Sequence, residues 1–248
     1  VYAVTGQTYS RKVDSQILDA LSGLGQSLHK MGTDVRLLAH RQELDEPTEK
    51  GQIGSSAMPY KRNPMRSERM CDLARFLMTL PISAAHTAAT QWLERTLDDS
   101  VNRRLTLPQA FLTADAALRL GINVVSGLEV FPATINANMT PMLPYMATEN
   151  LLMAAVAAGQ DRQKGHEAIR EHSRAVQTVV RTGAGTNNLL ERLREDKLFA
   201  DVNFDEVLRP EAFIGRAAEQ VDEFLTAEVE PVRKRYPHLL GQGAEIIR

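Results

Sequence analysis

The residues best suited to chemistry lie in one polar tract at positions 54–64, which follows a long apolar helical pattern. The tract offers two hydroxyls at Ser55 and Ser56, a cation at Lys61 and an amide at Asn63. It leads into a predicted helix, whose first N–H groups could receive an anion. The same composition also fits an ordinary interhelical loop in which Lys61 is a solvated surface residue. The residues alone therefore leave both interpretations open.

Arginines form a second group that could bind an anionic ligand. Arg69 follows the polar tract, and Arg95 and Arg104 lie in and beyond a polar segment at 95–102. The planar guanidinium can hold two oxygens of a carboxylate or phosphate at once. A solvated charged face is the common alternative, in which these arginines simply pair with the acidic residues around them, Glu94, Asp98 and Asp99.

A long amphipathic helix is predicted before the tract at 54–64. Apolar residues recur at steps of three and four from about Ser10 to Leu44, which predicts a helix of roughly 50 Å at about 1.5 Å per residue. A stripe this narrow is typical of a helix that packs against partners in a bundle. The members of the stripe are Val13, Ile17, Leu21, Leu24, Leu28, Met31, Val35 and Leu38. Close helix–helix approach would explain Gly23, Gly25 and Gly32 inside it.

Further helices are predicted along the rest of the chain. Asn63-Pro64 is typical of an N-cap followed by proline at the first helical position, with a helix to about Leu80. Later helices are expected at about 83–94, from about 103 to 128 with a bend near Pro108, and at 144–158, 162–181, 187–198 and 210–234. Strand-like alternation is absent, so the predicted fold class is all-α. The expected domains are 1–130, a part of a long central helical bundle with a loop at about 45–64, and 131–248, a smaller C-terminal helical domain.

Composition excludes several function classes. The formal charge is −2, from 29 basic and 31 acidic residues, so neither a nucleic acid nor a membrane surface is an expected partner. The single cysteine, Cys71, cannot form an internal disulfide, and no Cys/His set has metal-ligand spacing. We therefore expect no metal and a reducing, cytoplasmic location. The chain does not begin with Met, so we expect it to be a piece of a longer or cleaved protein.

The tract at 54–64 resembles the signature of the fumarase/aspartase superfamily, G-S-S-x-M-P-x-K-x-N-P, at every fixed position. The tracts at 5–9, 58–69, 91–104 and 146–150 resemble the adenylosuccinate lyase branch of that superfamily. The resemblance implies elimination of fumarate from adenylosuccinate, giving AMP, and from the succinylated aminoimidazole carboxamide ribotide, giving AICAR. It also implies a small-molecule nucleotide substrate, no cofactor, and a homotetramer whose active sites are shared between subunits.

The resemblance also assigns roles to residues. Ser55 is implied to be the catalytic base, while Lys61 and Asn63 stabilise the charged intermediate. The residues implied to contact the substrate are Gln7, Arg69, Arg95, Ser100 and Arg104. None of the six histidines matches the superfamily's general acid, which is expected in a segment upstream of this chain. We therefore expect the isolated chain to have little activity.

Two rival functions remain open at the level of sequence. A sister enzyme acting on argininosuccinate, malate or aspartate would share the reaction but lack a purine nucleotide phosphate site. A crystallin-like structural protein would need the bundle but not the chemistry of the tract at 54–64. The presence of Ser55, Lys61, Asn63 and the arginines favours an enzyme.

Overall fold

The computed structural model describes residues 2–49, 58 and 60–241. These residues are mostly helical, which confirms the all-α prediction and the long helical bundle. The chain divides into two compact units, the first ending at Pro132 and the second beginning at Ala133. The active-site residues predicted from the sequence all fall in the first unit.

The first unit is built on the long helices α1 (Lys12–His40), α2 (Met65–Ala89) and α3 (Asp99–Ser126). Helix α2 packs against both α1 and α3. A two-residue strand after α1, β1 (Leu44–Asp45), pairs antiparallel with a strand after α3, β2 (Glu129–Val130). The sequence did not predict this pair, because two residues are too few to show alternation. It ties the chain after α1 to the chain after α3.

The buried line of residues in helix α1 coincides only in part with the predicted apolar stripe. Leu18, Leu28 and Val35 are buried, but Ile17 and Leu38 of the stripe are more than one-third exposed. The buried line instead includes small residues, among them Gly25 and Gly32. A Cβ on Gly25 would lie 3.3 Å from the carbonyl oxygen of Ala74 in α2. The helices therefore approach most closely along the small residues, and the flanking leucines are only half-buried.

Helix α2 is longer than predicted. The expected break after Leu80 is wrong, because the helix continues through Pro81 to Ala89. Proline removes one intrahelical hydrogen bond, but Leu80 and Ala84 on either side are buried in the core, and this packing favours the helical path. Helix α3 likewise passes through Pro108. The predicted N-cap at Asn63 is also wrong, since Pro64 occupies that position and makes no side-chain cap.

The second unit consists of shorter helices around its own core. They are α4 (Pro132–Met139), α5 (Leu143–Met146), α6 (Thr148–Ala157), α7 (Arg162–Arg181), α8 (Leu189–Glu195), α9 (Phe204–Val207), α10 (Ala217–Phe224) and α11 (Glu230–Arg235). Short 3₁₀ turns span Lys197–Phe199, Pro210–Phe213 and Pro237–Leu239, and a π-helical stretch spans Leu225–Val229. Helix α7 has the predicted bounds, and the side chain of Asp161 caps it by accepting from the Lys164 N–H at 2.9 Å. Val176 of α7 packs in the core with Leu151, Leu193 and Phe199.

Within the described part of the chain, no helix combines the length and the apolar character needed to cross a lipid bilayer.

Candidate active site

One end of the bundle, which we call the loop end, comprises residues 43–49 and 58–69. Its central feature is Glu46, which is only 6% exposed. Its carboxylate accepts hydrogen bonds from the backbone N–H groups of Arg66 at 2.8 Å and Ser67 at 3.0 Å, and from the Ser67 hydroxyl at 3.1 Å. Glu46 therefore provides the cap at the start of α2. The idea that this helix terminus binds a ligand anion is wrong, because a carboxylate of the chain already occupies it.

Arg66 extends the same arrangement across the bundle. Its guanidinium donates to the side-chain oxygen of Asn123 in α3 at 2.5 Å and to Glu49 at 3.1 Å. A weaker pair joins Arg62 to Asp45 at 3.5 Å. The segment before the tract at 54–64 and the segment after it are thus fastened to the same helix start. This fixes where the tract leaves and rejoins the bundle.

The predicted catalytic residues at the loop end are only partly described. Ser55 lies outside the described residues. Lys61 is exposed, with its backbone N–H donating to the Met58 carbonyl at 2.9 Å. Asn63 is half-buried, and its carbonyl accepts from the Met65 N–H at 2.8 Å. Arg69 is exposed in the second turn of α2. Lys61 and Arg69 thus present cationic side chains to solvent at this end.

The opposite end, which we call the knot end, comprises residues 5–15 and 91–104. A buried ion pair joins its two segments, since Arg11 Nε donates to Asp99 Oδ2 at 2.6 Å with side chains 7% and 1% exposed. Burial lowers the pKa of Arg11, but the hydrogen bond and charge of Asp99 outweigh it, and the net pKa is raised. Asp99 therefore pairs with an arginine at the start of α1. The alternative in which Asp99 simply pairs with nearby arginines such as Arg95 and Arg104 is therefore not what the structure shows.

Tyr9 stands between two arginines at the knot end. The guanidinium carbons of Arg11 and Arg103 lie 4.7 and 5.4 Å from its ring centroid. Its hydroxyl donates to Asp14 Oδ1 at 2.7 Å and accepts from Arg103, whose Nε also donates to Asp14 Oδ2 at 3.2 Å. Burial, the hydrogen bond to Asp14 and its charge raise the pKa of Tyr9. We call these residues (Tyr9, Arg11, Asp14, Asp99 and Arg103) the Tyr9 cluster.

The four remaining predicted residues, Gln7, Arg95, Ser100 and Arg104, share the knot end. Gln7, Arg95 and Arg104 are exposed, and Ser100 is half-buried in the first turn of α3. The Gln7 segment lies against the Arg95 segment, since a Cβ on Gly6 would stand 3.3 Å from Glu94 Cβ. The structure thus collects these four residues in one region, from two separate segments of the sequence.

A polar cleft of about 310 Å³ opens at the knot end beside α3. Asn102 on its wall donates to the Ser83 hydroxyl of α2 at 2.8 Å. Its other lining residues are His86, Thr87, Thr90, Asp98 and Asp99. The described residues contain no group of three or more His, Cys, Asp and Glu side chains placed to hold a metal ion.

Within one chain, the predicted site residues fall at two separate places. Helix α2 has 25 residues, a length of about 37 Å at about 1.5 Å per residue. Lys61, Asn63 and Arg69 lie near its start. Asn102, two residues before Arg104, donates to Ser83, which is 14 residues after Arg69 in α2 and so about 21 Å further along the helix. The two sets of residues are therefore separated along the bundle in one copy of this chain.

Comparison with known proteins identifies the family. The family described as adenylosuccinate lyase C-terminus matches residues 144–224, and a general lyase family matches residues 5–78. The adenylosuccinate lyase of Saccharomyces cerevisiae is 51% identical over 231 residues, which are 92% of this chain and 48% of that protein. That of Schistosoma mansoni is 47% identical over 248 residues, 99% of this chain and 52% of that protein.

The chain belongs to the adenylosuccinate lyase family of the fumarate lyase superfamily. It spans about half the length of the curated relatives that it matches. Solved structures share its fold at lower identity. The 3-carboxy-cis,cis-muconate lactonizing enzyme from Pseudomonas putida superposes with a TM-score of 0.73 at 24% identity, covering 86% of this chain and 47% of that one. A class II fumarase from Schistosoma mansoni gives 0.62 at 18% identity, covering 81% and 39%.

Two features of this member of the adenylosuccinate lyase family could not be found from local sequence. Glu46 caps a helix that begins 19 positions later in the chain, at Met65. Arg11 and Asp99 are 88 residues apart. The one local signal was the presence of Arg11 and Asp14, charged residues beside the start of a predicted amphipathic helix.

His172 also differs from expectation. The histidines were expected on the bundle surface or at an interface, but His172 lies in the second unit on α7. Its Nε2 is 3.0 Å from Asp196 Oδ2. Burial raises the pKa of Asp196, but the Leu198 N–H and His172 outweigh it, so the net pKa is lowered. Asp196 Oδ1 accepts from the Leu198 N–H at 3.0 Å and so caps the turn at Lys197–Phe199. His172 therefore pairs with the carboxylate that caps this turn.

Proposed function

We propose that this chain is part of an enzyme that eliminates fumarate from adenylosuccinate, giving AMP, and from the succinylated aminoimidazole carboxamide ribotide, giving AICAR. The observation that carries the proposal is the 51% identity to a named adenylosuccinate lyase over 92% of the chain. The exposed cationic side chains at both ends of the bundle support it, because the substrate carries a phosphate and two carboxylates.

The knot end is suited to the nucleotide phosphate. Arg95 and Arg104 are exposed there beside Ser100, at the start of α3. A helix start favours negative charge, and arginine adds bidentate contacts to phosphate oxygens. We assign Gln7, Arg95, Ser100 and Arg104 to the nucleotide, and Arg69 at the loop end to a further anionic group of the substrate.

The elimination needs a base, a site for the developing charge and an acid. We assign the base to Ser55, which removes a proton from the carbon beside a succinyl carboxylate. Lys61 and Asn63 stabilise the resulting negative charge as it spreads into that carboxylate. The C–N bond then breaks, and an acid protonates the departing nitrogen. We place that acid outside these 248 residues, because no histidine of this chain matches the superfamily's acid.

The separation of the two ends supports a shared active site. Since Arg69 and the residues of α3 beside Ser83 are about 21 Å apart along α2, we infer that a complete site draws on more than one copy of the chain. The side of α3 that faces away from α1 and α2 exposes Val101, Leu105 and Leu112, each more than half exposed. Such an apolar face is typical of an interface. We propose a homotetramer in which the loop end of one subunit meets the knot end of another.

A substrate panel tests the function. The natural protein at its full length is incubated with adenylosuccinate, argininosuccinate and malate, and the reaction is followed between about 240 and 290 nm, where fumarate absorbs. We expect turnover with adenylosuccinate at least about a hundredfold above the others, because only it carries the purine and phosphate that the knot end would bind. Comparable or faster turnover of argininosuccinate or malate would establish the sister-enzyme alternative, and no turnover at all would favour a structural role.

Ser55→Ala tests the base. Loss of a general base lowers kcat by about 10²- to 10⁴-fold, and we expect KM to change little because the nucleotide contacts remain. Ser56→Ala is the matched control, with a much smaller loss expected. Near wild-type turnover in Ser55→Ala would remove this residue from the mechanism.

Arg104→Ala tests the phosphate contact. We expect KM to rise about 10- to 100-fold, because a charge-assisted contact to phosphate contributes roughly 1.5–3 kcal/mol. Arg119→Ala, which removes an exposed arginine of the same helix paired with Asp115, should leave KM unchanged. Equal effects of the two substitutions would exclude a specific role for Arg104.

The isolated 248-residue chain tests the origin of the acid. We expect it to form fumarate at less than about a hundredth of the rate of the full-length protein, because it would lack a proton donor for the leaving nitrogen. Comparable rates would show that the acid lies within this chain.

A further inference from the structure

The Tyr9 cluster joins two segments that carry predicted substrate contacts. Gln7 lies two residues before Tyr9, Ser100 follows Asp99, and Arg104 follows Arg103. The cluster residues themselves turn toward one another: Arg11 and Asp99 are buried, and Asp14 is 4% exposed. Arg11, Asp14 and Asp99 are therefore poorly placed to contact a substrate but well placed to hold their neighbours.

We propose that the Tyr9 cluster is a positioning device that fixes the segment of Gln7 against the start of α3, and so sets the spacing of Gln7, Ser100 and Arg104. This inference rests on the proposed function. It adds residues that neither the superfamily signature nor the family comparisons assign.

The tyrosine hydroxyl is the central link of the cluster. It donates to Asp14 in α1 and accepts from Arg103 in α3, while Arg103 Nε donates to the second oxygen of Asp14. These contacts close a ring across two helices and the segment before α1. A hydrogen bond or ion pair between only two of these three elements would leave the third element free to shift.

The charges of the cluster balance. Two arginines face two aspartates, and the ring of Tyr9 presents its π-face to both guanidinium groups. The attraction between the paired charges and their hydrogen bonds offsets part of the cost of removing them from water, and the directional contacts leave few alternative arrangements. The start of α3 is thereby held in one place before any substrate binds.

Tyr9→Phe in the full-length protein tests the contribution of the hydroxyl separately from that of the aromatic ring. The variant keeps the aromatic face under both arginines and the direct Arg103–Asp14 ion pair, but it removes the hydroxyl that bonds to both of these residues. We expect backbone amide exchange to become at least about fivefold faster in segments 5–9 and 99–104 together, with other segments unchanged. We expect KM for adenylosuccinate to rise about 5- to 20-fold with kcat within about twofold, because the contacts affected bind substrate and transition state alike.

Tyr145→Phe is the matched control, since Tyr145 packs against the core of the second unit. It should change neither KM nor exchange at the knot end. A second variant, Arg103→Gln, should raise KM as well, and combining it with Tyr9→Phe should add little, because both break the same ring.

The outcomes distinguish this inference from the proposed function. Unchanged exchange at 99–104 in Tyr9→Phe, or additive effects of the two substitutions on KM, would overturn the positioning role. A wild-type protein without activity on adenylosuccinate would instead overturn the proposed function, while coupled exchange of the two segments would still support the link between them.

Discussion

The two ends of the bundle organise charge in different ways. At the loop end, one buried carboxylate, Glu46, binds backbone N–H groups of α2 and leaves Lys61 and Arg69 exposed. At the knot end, arginines and aspartates bind one another around Tyr9. The first arrangement anchors a loop, whereas the second fixes a helix start. The two ends are thus held by different means, a carboxylate cap on backbone N–H groups at the loop end and paired side-chain charges at the knot end.

Arg11→Ala should have the largest effect and should disrupt the knot end. It leaves the carboxylate of Asp99 buried without its ion-pair partner, which costs about 3–5 kcal/mol of unfolding free energy. Urea unfolding measures the loss. The double variant Arg11→Met with Asp99→Leu removes both charges and should recover most of the stability. A loss below about 1 kcal/mol in the single variant would show that the pair does not fix the knot end.

Glu46→Ala should weaken the loop end, but by less. It leaves two backbone N–H groups and the Ser67 hydroxyl without their acceptor, which we expect to cost about 2–4 kcal/mol. Glu49→Ala is the control, because its partly exposed carboxylate should contribute less than about 1 kcal/mol. Both values come from urea unfolding. Equal losses of unfolding free energy in the two variants would mean that the buried Glu46 cap stabilises the loop end no more than the Glu49 contact does.

Two glycines of α1 test how closely the helices pack on the way to the loop end. In Gly32→Ala the new methyl would lie 2.7 Å from Cys71 Sγ, which we expect to cost about 1–3 kcal/mol. Gly23→Ala meets nothing within 4 Å and should stabilise the helix by about 0.5–1 kcal/mol. Thermal unfolding should therefore shift in opposite directions. A shift of the same sign in both variants would contradict the close approach seen at Gly32.

Raising the pH should have the smallest of these effects, a loss of folding stability through Tyr9 at the knot end. The pKa of Tyr9 is raised above its ordinary value of 10.0, so the folded state holds this proton more tightly than the unfolded state. The resulting stability is complete below about pH 10 and is lost as the pH rises through the folded pKa. Melting temperatures between about pH 9 and 11 should fall more steeply in the wild type than in Tyr9→Phe. Parallel curves would show that ionisation of the Tyr9 hydroxyl is not linked to folding.

The sequence by itself determined the helical class, the family and the candidate site residues, because these depend on local periodicity and on short tracts such as 54–64. The bounds of helix α7 could be predicted from the sequence, because its cap is local: Asp161 accepts from the N–H of Lys164, three residues later. The contact that starts this helix joins near neighbours in the chain, and local patterns record such interactions.

Only the tertiary structure decided what fastens the site. The cap at α2 comes from Glu46 and not from Asn63, and the partner of Asp99 is Arg11, which is 88 residues away. The path of α2 through Pro81 was likewise set by packing around Leu80 and Ala84, which outweighed the preference of proline to end a helix. Interactions over such separations depend on which helices lie side by side, and no local pattern encodes that choice.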